Sequence, residues 1–171
     1  MSKAFTRESD EADADELPFV RTQLPPGSRN YITQDGADRL KQRLQELLET
    51  KRAWAAASAE ARPAPEADRQ RVESSIRKLQ QVLDSVVVAG VPVDRDKVGF
   101  GATVMVRHGN GEEEAYQIVG VDEASPEHAR ISWISPLARA LLSRRAGEKV
   151  LFRSPAGGEE LTILTVRYSG S

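Results

Sequence analysis

No cysteine occurs among the 171 residues. Disulfides, thiolate zinc sites and cysteine nucleophiles are thereby excluded, and a reducing compartment is the natural expectation. Aromatic residues make up only 5% of the chain and apolar residues 39%. One large core is therefore not expected, and a small domain with an extended element fits better. No apolar run approaches the roughly 18 residues that cross a bilayer, and the N-terminus lacks the apolar stretch of a signal peptide. The expectation is a soluble cytoplasmic protein with no membrane partner. Histidine is limited to His108 and His128; neither falls at metal-ligand spacing, and both read as surface residues. A phosphate-binding glycine loop and a serine nucleophile elbow are also missing.

The net charge of −2 is unevenly spread, because residues 8–16, ESDEADADE, hold six carboxylates. Such a block repels itself and has almost nothing to bury, which predicts a disordered, solubilising tail; mimicry of nucleic-acid charge is the sharper alternative.

After the punctuation LPPGSRN, Thr33 offers an N-cap hydroxyl, and helix-forming residues run from Asp35 to Ala61. The tip, ASAEARPAPEADRQ, carries Pro63 and Pro65. A second helix then opens on Glu66 and Asp68, whose charges suit its dipole, and continues to about Val86. Leu40, Leu44, Leu47, Lys51 and Trp54 recur at heptad spacing, as do Val72, Ile76, Leu79, Leu83 and Val86. Folding the chain near residue 63 pairs Leu40 with Val86, Leu44 with Leu83, Leu47 with Leu79, Lys51 with Ile76 and Trp54 with Val72. Lys51 interrupts this seam, its stem covering Ile76 while its ammonium reaches water or Glu73. Beyond Trp54 the first helix turns to alanine, so the distal end should be thin. On pattern alone a dimerising or spacer coiled coil is an equally good reading. The basic residues Arg39, Lys41, Arg43, Arg52, Arg69, Arg71, Arg77 and Lys78 alternate with Glu46, Glu49 and Glu73, as on a solvated helix surface.

The run VVVAGVPVDRDKVGFG marks a boundary. ATVMVRH and EEAYQIVG read as strands around the turn GNG, followed by RISWI, VLFRSP and ELTILTVRY. Ser135 caps a helix, PLARALLSRR, that Gly147 closes. The fold class predicted is α+β, a helical hairpin followed by a small sheet of about five strands with a short helix. Among chemistry-bearing groups, Glu60, Glu66 and Asp68 are the only carboxylates placed together on a projecting element. Three acids suit a hard cation such as magnesium, but acidic first turns are routine helix-end charge.

NYITQDGADRLKQRLQELL, KVGFGATVMV, YQIVGVDE, ISWISPLARALL and PAGGEELTILTV together resemble the bacterial Gre family of transcription elongation factors, and the opening MSKAFTRESDE with LPPGSRNYIT resembles its GreB type. The resemblance implies a tail and junction over residues 1–30, an antiparallel coiled coil over 31–90 and an FKBP-like domain over 91–171. It further implies a monomer without a cofactor of its own. The C-terminal domain would dock on the rim of the RNA polymerase secondary channel through Asp122, Ser135 and Pro136. The coiled coil would enter the channel, where it meets transcript RNA or DNA. In the family, tip acids help hold a magnesium ion of the polymerase active site, and the polymerase performs the cleavage; the factor is not itself an enzyme.

The tip departs from that pattern. Where the family carries glycine-aspartate followed by serine-glutamate-asparagine-alanine, this chain reads ARPAPEAD, which sets Arg62 and Pro65 in place of the two key acids. The arms also count roughly five or six residues short, a retreat of about 8 Å at 1.5 Å per residue. A magnesium ligand must approach to about 2.1 Å. The expectation is a factor that binds polymerase and modulates elongation with cleavage stimulation weak or lost. The alternatives are an active cleavage factor using Glu60, Glu66 and Asp68, a peptidyl-prolyl isomerase, and a coiled-coil adaptor unrelated to polymerase. Phe100, Tyr116, Trp133, Phe152 and Tyr168 suit a small core better than an isomerase pocket.

Overall fold

The structure is a computed structural model that describes residues 24–57, 63–154 and 157–169. A short strand, β1 (Asn30–Ile32), leads into α1 (Gln34–Ala56), and α2 (Glu66–Ser85) runs on into β2 (Val86–Val88). Thr33 is the N-cap of α1, its hydroxyl accepting from the N–H of Gly36 at 3.0 Å.

The seam residues other than Lys51 and Trp54 assemble as expected, and Trp54, expected opposite Val72, lies outside the cluster. Leu40, Leu47, Ile76 and Leu79 are buried, with Leu44, Val72, Leu83 and Val86 packed against them. Leu48 and Val82 join this cluster as well. Lys51 Nζ lies 2.9 Å from Glu73 Oε1, so the break in the seam resolves as an exposed ion pair. Among the described residues of the two helices nothing beyond Leu47 and Ile76 toward the tip is buried. Helix α1 ends at Ala56 because Ala57 is already extended, where alanine side chains bury too little to anchor a further turn; the end expected at Ala61 lies outside the described residues.

The valine run expected to mark only a boundary is a strand. β2 pairs with β1 in parallel, Tyr31 opposite Val87, and closes the base of the hairpin.

The second unit is a five-stranded sheet in the order β5-β4-β3-β7-β6. Its strands are β3 (Ala102–Arg107), β4 (Glu113–Val119), β5 (Arg130–Ser132), β6 (Lys149–Ser154) and β7 (Gly157–Tyr168). All pairs are antiparallel except β4 with β5. Alternation along β3 sends Ala102, Val104 and Val106 inward, where they meet Ile118, Leu161, Ile163 and the buried face of α3 (Pro136–Leu141). Tyr116, Trp133, Phe152 and Tyr168 pack against this core, and Phe100 lies 6.1 Å from the ring of Tyr31.

Helix α3 is shorter than its sequence suggests, six residues rather than a run reaching Arg145. Ser143 takes a left-handed conformation, its N–H donates to Val98 O at 2.8 Å, and Val98 N–H donates to Arg144 O at 2.7 Å. Backbone bonds to a distant segment thus take the place of the next helical turn. Arg144 and Arg145 then pair with Glu148 and Asp94 instead of a helix C-terminus. No described helix is long and apolar enough to cross a membrane.

Candidate functional site

Strands β4 and β5 run parallel and adjacent, with Val119 opposite Ser132. The loop that follows β4, residues 120–123, and the start of α3 after β5 therefore leave the sheet at one end. Asp122 lies in the first, Ser135 and Pro136 in the second. The ring of Tyr31, in β1, sits 6.3 Å from that of Trp133. The base of the hairpin is thus fastened to the same end of the sheet.

The three residues differ in what they present. Pro136 is exposed as the first residue of α3. Ser135 is half-buried and caps α3, accepting from Ala138 N–H at 3.2 Å. Asp122 is only 8% exposed and faces inward: its Oδ2 accepts from Asn30 Nδ2 at 2.7 Å, and Asn30 also reaches Ser85 Oγ at the end of α2.

Beside it, Glu123 is buried too, a residue the sequence reading passed over. Its carboxylate accepts from the Thr33 N–H at 2.8 Å, the Gly120 N–H at 3.0 Å and the Thr33 hydroxyl, with Arg39 Nη2 at 3.4 Å. Arg130 stands nearby, its guanidinium held below the usual value first by burial and then by the charge of Arg39, with Glu123 opposing. One signal in the sequence pointed here: Gly36, a helix-weakening residue in the first turn of a strong helix.

At the tip, Glu60 and Arg62 lie outside the described residues. Pro65 is the N-cap of α2, its carbonyl accepting from the N–H groups of Asp68 and Arg69, both at 3.1 Å. Glu66 and Asp68 are two positions apart on one helix, a rotation of about 200°, so they do not share a face. Each has an arginine of its own helix instead: Glu66 with Arg69 at 2.8 Å, Asp68 with Arg71 at 3.6 Å. These two acids do not fit a shared cation. Among the described residues no three acidic or histidine groups converge on a metal-sized site. Much of the hairpin's basic charge is likewise balanced locally, Lys41 by Asp38 and Arg43 by Glu46.

His128 is exposed, 2.9 Å from Ser125 Oγ. His108 departs from the surface reading: its side chain is 18% exposed, with Nδ1 2.8 Å from Glu159 and Nε2 3.5 Å from Glu114. The cause is the strand order, which brings β4 and the start of β7 to either side of the end of β3.

Comparison with known proteins bears on the same regions. Residues 93–168 match the family model described as transcription elongation factor, GreA/GreB, C-terminal. The chain is 36% identical to transcription elongation factor GreB of Neisseria meningitidis serogroup A over 155 residues, covering 82% of this chain and 95% of that protein. It is 36% identical to GreA of Alkalilimnicola ehrlichii, covering 83% and 99% respectively. Among solved structures, the Gfh1 protein of Thermus thermophilus is 25% identical, covers 82% of this chain and 99% of that one, and superposes with a TM-score of 0.39.

Proposed function

Since the chain belongs to the GreA/GreB family of transcription elongation factors, we propose that it binds RNA polymerase at the secondary channel and acts by occupying that channel, without stimulating transcript cleavage. Docking falls to the sheet end that carries Asp122, Ser135 and Pro136, where Pro136 is the most accessible element. The hairpin then projects into the channel, where it contacts transcript or template only as the channel brings them close.

The observation that carries this reading is the tip. Glu66 and Asp68 diverge around α2 and are each engaged by an arginine. A carboxylate recruited to a metal must be aimed and placed within about an ångström. An isomerase reading finds no support in the aromatic residues, four of which are used in the sheet core.

The test is a cleavage assay on stalled, backtracked elongation complexes. The factor should bind core polymerase, leave the transcript 3′ end untrimmed, and slow trimming by an active Gre factor added with it. Vigorous trimming that vanishes in the Glu66→Ala, Asp68→Ala double variant would overturn the proposal in favour of an active cleavage factor. Absence of binding to core polymerase would favour an unrelated coiled-coil adaptor.

A further inference from the structure

We propose that Glu123 is the positioning residue that sets the direction in which the hairpin leaves the C-terminal domain. Its side chain is 2% exposed. It belongs to the loop after β4, yet three of the four donors around it come from the start of the hairpin. Oε2 accepts from the backbone N–H of Thr33 at 2.8 Å and of Gly120 at 3.0 Å, while Oε1 accepts from the Thr33 hydroxyl and faces Arg39 at 3.4 Å. That hydroxyl accepts in turn from Gly36 N–H, so the cap of α1 and the latch between the two units are one network.

Two glycines make the approach possible. A Cβ on Gly36 would stand 1.9 Å from Glu123 Oε1, and a Cβ on Gly120 would stand 2.1 Å from the Tyr31 carbonyl oxygen. Asn30 to Asp122, at 2.7 Å, forms a second strut beside the first. An ionised carboxylate removed from water is retained only where donors replace its hydration. Arg39 alone does not supply them, because it is half exposed and only one edge of it comes near. The backbone donors do, and backbone donors fix an angle.

Angle matters because α1 is a lever. Its 23 residues span about 34 Å, so a 10° change at the base moves the far end by roughly 6 Å. That displacement rivals the retreat of about 8 Å expected for the tip from the count of arm residues. The latch is a property of the free protein; only its consequence inside polymerase rests on the proposed function.

The cysteine-free chain allows a direct test. Spin labels are attached through Glu66→Cys and Leu151→Cys, both exposed positions, and the distance distribution is measured by pulsed EPR on the full-length protein. The parent should give one narrow distribution. Glu123→Ala should at least double its width, with amide exchange in β3, β4 and β7 unchanged. Glu123→Gln should keep the parent width, since its amide oxygen accepts both N–H donors and its amide group donates to the Thr33 hydroxyl. Gly120→Ala should broaden the distribution like Glu123→Ala, and it decides the matter if Glu123→Ala does not fold. An unchanged width in the alanine variants, or equal broadening in Glu123→Gln, overturns the proposal. In polymerase, Glu123→Ala should bind within about threefold of the parent yet protect transcripts from an active Gre factor at least tenfold less well. If the parent itself fails to bind, the functional reading falls while the EPR result stands.

Discussion

Replacing Gly36 with alanine sets two effects of opposite sign against each other. In an isolated helix the change is favourable, because glycine is worth up to about 1 kcal/mol less than alanine. In this protein the new methyl would meet Glu123 at 1.9 Å from Oε1, 2.3 Å from Cδ and 2.7 Å from Cγ. The whole carboxyl group must therefore leave, and rotating its end is not enough. Its departure strands two N–H donors, those of Thr33 and Gly120. Hydrogen bonds to a charged group contribute about 1.5–3 kcal/mol each, so the pair represents about 4 kcal/mol. Set against the propensity gain, the net loss is about 3 kcal/mol, which at this chain length lowers the melting temperature by about 9 °C. Urea and thermal unfolding followed by helical ellipticity read the effect. The sign should reverse in a Glu123→Ala background, where the methyl has nothing to displace and only the propensity gain remains. If Gly36→Ala stabilises the parent and the Glu123→Ala variant alike, Glu123 does not sit under the first turn of α1 and the latch argument fails.

Lys51→Leu should stabilise the hairpin, since half-burying a leucine in the seam contributes about 1 kcal/mol. The hydrogen bond and charge of Lys51 hold the Glu73 carboxyl below its ordinary value of 4.5, so the stability from that pair is present above it and lost as pH falls; the acid limb of a stability profile should flatten in the variant. Ser135→Ala removes the cap of a six-residue helix and should lower the stability of the sheet domain by about 1 kcal/mol, measured by urea midpoint. At alkaline pH, burial first and the Glu114 carboxylate second hold the Tyr116 phenol well above its ordinary value, and burial raises that of Tyr168. A phenol whose value is raised on folding contributes stability that is complete below pH about 10 and declines above it. Absorbance titration should show Tyr116 and Tyr168 ionising late; ionisation of these two near pH about 10 in the folded state would contradict their burial.

What could be read directly from residues was local or periodic. The heptad seam depends only on spacing along a helix, and from Leu40 to Leu47 and from Val72 to Val86 it assembles as one cluster, which Trp54 does not join. Thr33 and Ser135 act as caps because a hydroxyl at a helix start bonds a nearby N–H whatever surrounds it. The strands around the GNG turn follow from alternation, and family membership from motifs along nearly the whole chain.

Tertiary structure decided the rest, wherever groups far apart in sequence compete for the same donors and acceptors. The valines after α2 form a strand because β1 lies beside them. Helix α3 stops early because Val98 takes the backbone bonds that a further turn would have used. Asp122 and Glu123 turn inward because Asn30 and Thr33, about ninety positions away, offer hydrogen bonds that water would otherwise supply. No window of local sequence contains both partners, so the alphabet alone announces a helix, a strand and a loop, and folding decides which of their polar groups remain on the surface.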